Sequence, residues 1–116
     1  MYGNFSFQEF TTTDTGLPNN PSSPDDLVNL ARLWNYLASV REKLGKPIII
    51  NSAYRTSQVN EQVGGVKCSN HIKGRAADIR TSPLFMDELY CLLLQDKNSG
   101  KLREFITYST FYHISL

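Results

Sequence analysis

The segment Ser69-Asn70-His71-Ile72-Lys73-Gly74-Arg75-Ala76-Ala77-Asp78-Ile79-Arg80 contains the central physical problem of this chain. Its first half is polar and carries a glycine, so it reads as a loop, and Ala76 to Arg80 reads as a strand. Asp78 then falls between Ala77 and Ile79, where a strand should bury apolar groups. A carboxylate there is costly unless it is paired or bound to a metal. The chain has only two histidines, His71 and His113. His113 stands in a similar position, between Tyr112 and Ile114 in an apolar run. Taken singly, each residue has an ordinary reading: a histidine in a strand is most often a hydrogen-bonded core or surface group, and an aspartate there most often marks an edge or a turn. Taken together, two imidazoles and one carboxylate suffice for a catalytic zinc site whose fourth position stays open. Metal in such a site lowers the pKa of water to about 7 and polarises a carbonyl. The set works only if the strand after Gly74 and the strand holding His113 are neighbours, which periodicity does not determine.

Working outward, the clearest element is a helix. Ser23 suits its N-cap, Pro24 its first position, and Asp25 and Asp26 its first turn. Leu27, Leu30, Ala31, Trp34, Leu37 and Val40 recur at helical spacing, with Leu33 and Tyr36 widening the stripe. Gly45 closes the helix after Leu44, and Pro47 lies beyond. Ile48-Ile49-Ile50 reads as a buried strand. A short helix is predicted from Ser57 to Val63, capped by Thr56 and stopped by Gly64-Gly65. Ser82-Pro83 opens a third helix through Leu84, Leu89, Leu92 and Leu93, and Asn98-Ser99-Gly100 is a turn. Glu104 to Tyr108 and Phe111 to Leu116 alternate as the two strands of a hairpin. The order predicts an α+β fold: a small, mostly antiparallel sheet with helices packed on it.

The chain of 116 residues is expected to form a single domain over 1–116, with 1–24 an extended segment and loop packing onto it through Phe5, Phe7 and Phe10. With 41% hydrophobic and 20% charged residues, disorder is excluded as the main state. A net charge of +1 gives no electrostatic footprint for nucleic acid or an anionic membrane. The longest apolar runs fall far short of the roughly 20 residues that span a bilayer. Met1-Tyr2-Gly3-Asn4-Phe5 has neither the basic patch nor the apolar core of a secretory signal, so the expectation is synthesis in the cytoplasm. Cys68 and Cys91 are expected as free thiols, with Cys91 in the core of the third helix.

Ser69-x-His71-x-x-Gly74-x-Ala76-x-Asp78 resembles the signature of the zinc D-alanyl-D-alanine carboxypeptidases and the related murein endopeptidases of bacteriophages. Their clan also holds lysostaphin-type peptidases and the hedgehog signalling domain. Asn51-Ser52-Ala53-Tyr54-Arg55-Thr56 is similar to the family's Ser-x-Tyr-Arg segment. Asn60, Gly64 and Gly65 fall where relatives have Asn and Gly-Gly, and Phe111-Tyr112-His113-Ile114-Ser115 is similar to its terminal strand. The resemblance runs from about Phe5 to Leu116. It implies a hedgehog/D-Ala-D-Ala peptidase-like fold with one zinc per chain, held by His71, Asp78 and His113. Arg55 would hold a substrate carboxylate or the oxyanion that develops on attack. Ser69 would bind substrate or orient the loop, and Tyr54 and Tyr112 would contact substrate. Gly74 would allow a backbone shape or close approach.

The pattern departs from the family at one position. Many members carry a Glu or Asp three residues before the last histidine ligand, as general base; here Thr110 stands there and cannot do that work. Glu104, on the strand paired with that of His113, is the alternative base, or it faces solvent. Tyr108 and Tyr112 are alternative hydrogen-bond donors to the intermediate, since a phenol of pKa about 10 is a poor base. Cys68-x-x-His71 has ligand-like spacing, although the family uses no ligand there. The resemblance thus implies a monomeric zinc-dependent peptidase that hydrolyses peptidoglycan stem peptides by metal-activated water. A phage-encoded enzyme made in the cytoplasm and acting on the cell wall fits this. The alternatives are a weak or inactive zinc-containing module binding cell-wall peptides or a protein, and a metal-free α+β domain.

Overall fold

The structure, a computed structural model, describes residues 5–11, 13, 15–21, 23–65 and 69–116. Its elements follow in the order α1 (Phe7–Thr11), α2 (Pro24–Leu44), β1 (Ile49–Ser52), α3 (Ser57–Gln62), β2 (Ala76–Arg80), a 3-10 turn (Pro83–Phe85), α4 (Met86–Ser99), β3 (Glu104–Thr107) and β4 (Tyr112–Ser115). The fold is α+β. The four strands pair antiparallel in the order β1-β2-β4-β3, so the strand made last lies inside the sheet.

α2 follows its sequence signals closely. Pro24 occupies the first turn with Asp25 and Asp26, and Gly45 takes a left-handed φ of 70°, its N–H donating to the Arg41 carbonyl. The buried stripe is Leu30, Leu33, Leu37, Val40 and Leu44. Leu27 and Ala31, expected in that stripe, are exposed: Leu27 precedes the first buried turn, and Ala31 lies off the face that carries Leu30, Leu33 and Leu37. These leucines meet Leu89 and Leu93 of α4 and the inward side chains Ala77, Ile79 and Ile114 of the sheet in one core. Burying each large aliphatic side chain contributes about 1.5–3 kcal/mol before entropy is charged.

Three stretches differ from expectation. The isoleucine run does not form a strand buried along its length: β1 is an edge strand shifted to Ile49–Ser52, with Ile48 buried just before it and Ile49 42% exposed. The third helix is preceded by the tighter 3-10 turn, which leaves Leu84 outside the core at 84% exposure. Cys91 is exposed rather than core, since the buried side of α4 carries Leu89, Leu93 and Asp96. Near the N-terminus α1 forms a helical turn; Phe10 packs edge-on against Phe5 and stacks on Trp34. Cys68 lies outside the described residues. No helix among the described residues is long and apolar enough to cross a membrane.

Asp96 is buried on α4 and accepts a 2.6 Å hydrogen bond from the Tyr36 hydroxyl of α2. Burial and this bond push the Tyr36 phenol far above its ordinary pKa, so it stays a donor through neutral pH. A hydrogen bond to a charged group contributes about 1.5–3 kcal/mol. Tyr36→Phe is therefore expected to lower unfolding free energy by about 1–3 kcal/mol in a urea titration with an unchanged m-value.

Candidate metal centre

Register answers what periodicity left open. β2 and β4 are adjacent, and Asp78 pairs directly with His113. Ser52 on β1 pairs with Asp78, and Ile106 on β3 pairs with His113. Cross-strand partners share a face, so Ser52, Asp78, His113 and Ile106 form one row across the sheet. The alternate residues Ala77, Ile79, Tyr112 and Ile114 face the helices and are buried.

His71 reaches this row from the loop before β2. The Ser69 hydroxyl accepts from the His71 N–H at 3.2 Å, and the loop closes through bonds from Gly74 N to the His71 carbonyl and from Arg75 N to the Asn70 carbonyl. Gly74 has a φ of +75°, and a Cβ there would sit 2.8 Å from the Asp26 carbonyl of α2. Glycine thus permits both the left-handed turn and the close seat on α2. The Asn29 amide holds the same loop through the Lys73 carbonyl at 3.0 Å.

His71 is 3% exposed, and its Nδ1 lies 2.6 Å from the Ala53 carbonyl. A carbonyl only accepts, so Nδ1–H donates to it, and Nε2 is the nitrogen turned to Asp78, 3.4 Å from its Oδ1. His113 brings Nδ1 to 2.9 Å from the same oxygen. Burial pushes the Asp78 carboxyl upward, but hydrogen bonds from His113 and His71, and their charge, outweigh it and hold the group far below the usual carboxylate range. Burial pushes His113 down, and its bonds to Asp78 and Glu104 reverse this and raise it. One donor atom from each of His71, Asp78 and His113 lies within 4.8 Å of the others. Two imidazoles and a carboxylate at this spacing fit a divalent metal such as zinc.

Arg55 closes the other side. Its Nη2 lies 3.4 Å from Asp78 Oδ2, Nε donates to the Ser52 hydroxyl at 3.2 Å, and Nη1 donates to Asn60 Oδ1 at 3.3 Å. A Cβ on Gly65 would run into the Asn60 carboxamide, so glycine there keeps the support of Arg55 in place. The resulting cleft of about 450 Å³ has Arg55, Asn70 and Glu104 on its polar side and Ile106, Tyr108 and Phe111 as an apolar wall. Tyr108 and Phe111 stack with ring centroids 4.7 Å apart.

Arg55, Ser69, His71, Asp78, Glu104 and His113, named from sequence, all line this cleft. Tyr54 and Tyr112, expected to contact substrate, do not. Tyr54 is buried among core residues, and Tyr112 points to the helix side of β4, where its hydroxyl donates to the Met86 carbonyl. Thr110 lines a separate hollow with Asn51, Arg80 and Met86. Sequence reasoning missed Asn70, Ile106 and Phe111 as cleft residues. The two-residue period of the hairpin placed Ile106 beside His113 once the pairing was known; Asn70 carries no such signal.

The family model of Peptidase M15 matches residues 4–115, nearly the whole chain. The protein belongs to this family, that of the zinc D-Ala-D-Ala carboxypeptidases, and its membership supports a metallopeptidase. No curated protein matches the chain significantly.

The cluster predicts one tightly bound zinc per chain by elemental analysis. Replacing His71 or His113 by Ala is expected to weaken binding by more than about a hundredfold, since a ligand is lost rather than an outer partner.

Proposed function

We propose that the chain is a zinc-dependent peptidase acting on peptidoglycan stem peptides. The observation that carries this reading is the convergence of His71 Nε2, Asp78 Oδ1 and His113 Nδ1 on the floor of an open cleft. Zinc in such a site supplies Lewis acidity, acidifying water and polarising a carbonyl oxygen. Arg55, braced by Ser52, Asn60 and Asp78, presents a fixed cation to a substrate carboxylate or to the oxyanion that develops on attack. The Ala53 carbonyl fixes the His71 tautomer. Ser69 acts through the loop, its hydroxyl being used on the His71 N–H. Ile106, Tyr108 and Phe111 offer an apolar surface to small side chains such as the methyl groups of alanine. A wall of this kind opposite a guanidinium suits a peptide with small apolar residues and free carboxylates, which is the chemistry of a stem peptide.

Incubation with purified peptidoglycan or soluble muropeptides is expected to release new amines and shortened peptides. A zinc chelator should stop the release and added zinc restore it, while His71→Ala stays inactive. Hydrolysis retained by that variant would sink the reading. Mass spectrometry of the products separates terminal trimming from internal cleavage. Phe111→Ala is expected to raise KM roughly tenfold with kcat little changed, in line with the loss of about 1.5 kcal/mol of apolar contact.

One observation favours a second reading. Among the described residues lining the cleft, Asp78 and Glu104 are the carboxylates, and Thr110 lies elsewhere. A zinc-containing module that binds cell-wall peptides without cutting them has the same geometry; it would retain muropeptides in a binding assay and yield no new amines.

A further inference from the structure

Glu104 stands at the start of β3, across from Ser115 and beside His113. Its Oε1 lies 3.1 Å from His113 Nε2 and 3.0 Å from the Asn70 side-chain amide. We propose that Glu104 is a positioning residue, which holds both imidazoles of the metal centre in place rather than taking a proton from the reaction.

The two nitrogens of His113 are already divided between two carboxylates. Nδ1 is 2.9 Å from Asp78 Oδ1 and belongs to the donor cluster; Nε2 is turned away from it, onto Glu104. An ionised carboxylate only accepts, so Nε2–H donates to Glu104, and Nδ1, the nitrogen turned to Asp78, is the one at which a metal would take the place of a proton. Glu104 adds a second hold, beside Asp78, against a flip of the ring, which would exchange Nδ1 for a carbon at the site. The second bond extends the effect. Asn70 belongs to the loop that delivers His71, and its carbonyl accepts from Arg75 N at 3.0 Å within that loop. One carboxylate oxygen therefore ties the β3 edge to the His113 ring and to the loop behind His71. Glu104 is not among the three residues of the donor cluster.

The inference rests on His71, Asp78 and His113 holding the metal, and the test separates the two claims. Zinc affinity is measured by competition with a chromophoric chelator for the wild type, Glu104→Ala, Glu104→Gln and Asn70→Ala, alongside muropeptide hydrolysis and circular dichroism. Glu104→Ala is expected to lose about 10- to 100-fold in zinc affinity. Glu104→Gln, whose amide oxygen still accepts from Nε2–H, should recover most of that affinity and keep activity, and Asn70→Ala should fall between. Wild-type affinity in folded Glu104→Ala would overturn the inference and leave the peptidase reading intact. So would Glu104→Gln that binds zinc normally but has lost hydrolysis, which is the signature of a general base. Failure of the wild type to bind zinc would overturn both.

Discussion

A carboxylate in an inner strand of the sheet is the constraint that organises this molecule. Asp78 is only 14% exposed at its side chain, yet His113 and His71 hold its carboxyl far below the usual range, and Arg55 lies 3.4 Å from its other oxygen. An isolated charge at that depth would cost several kcal/mol. The three partners come from the segment after β1, the loop before β2 and strand β4. Neutralising one oxygen pair therefore requires most of the sheet to be assembled, and the same convergence yields the donor set.

The other polar contacts serve the same end from further out. The Ala53 carbonyl fixes His71, and the stretch holding Ala53 and Arg55 is itself pinned from the N-terminal side. The Tyr54 N–H donates to the Phe10 carbonyl. The buried Asn19 side chain donates to the carbonyls of Thr11 and Tyr54 and accepts from the Thr56 N–H. Phe5 and Phe10 anchor this arm in the core. The arm and the cleft thus form one connected structure: the core secures the arm, the arm secures the backbone, and the backbone aims the side chains.

Much of this was legible in the sequence, for local reasons. The limits of α2 are written in Pro24 and Gly45. The start of α3 is written in Thr56, whose hydroxyl accepts from Val59 N–H. β2 spans Ala76–Arg80 as expected, and the hairpin differs only at its ends. Asp78, His71 and His113 stood out because each breaks an apolar pattern or carries scarce chemistry. What could not be read was non-local. Whether β4 lies beside β2 or outside β3 depends on packing, and that choice decides where Glu104, Ile106 and Asn70 fall. Tyr54 and Tyr112 adjoin site residues in sequence, but alternation along a strand turns neighbours to opposite faces. Leu84 and Cys91 show the same weakness in a helix: an apolar residue does not by itself reveal which side meets the core.

The strand order carries a consequence for biosynthesis. β3 is made before β4, yet in the finished sheet it touches only β4, so it must wait unpaired at the margin until its partner has emerged. One of the three donor residues, His113, arrives with that late strand. A nascent polypeptide that has not yet reached β4 therefore carries only His71 and Asp78 of the donor set, and the full cluster closes once β4 has paired with β2.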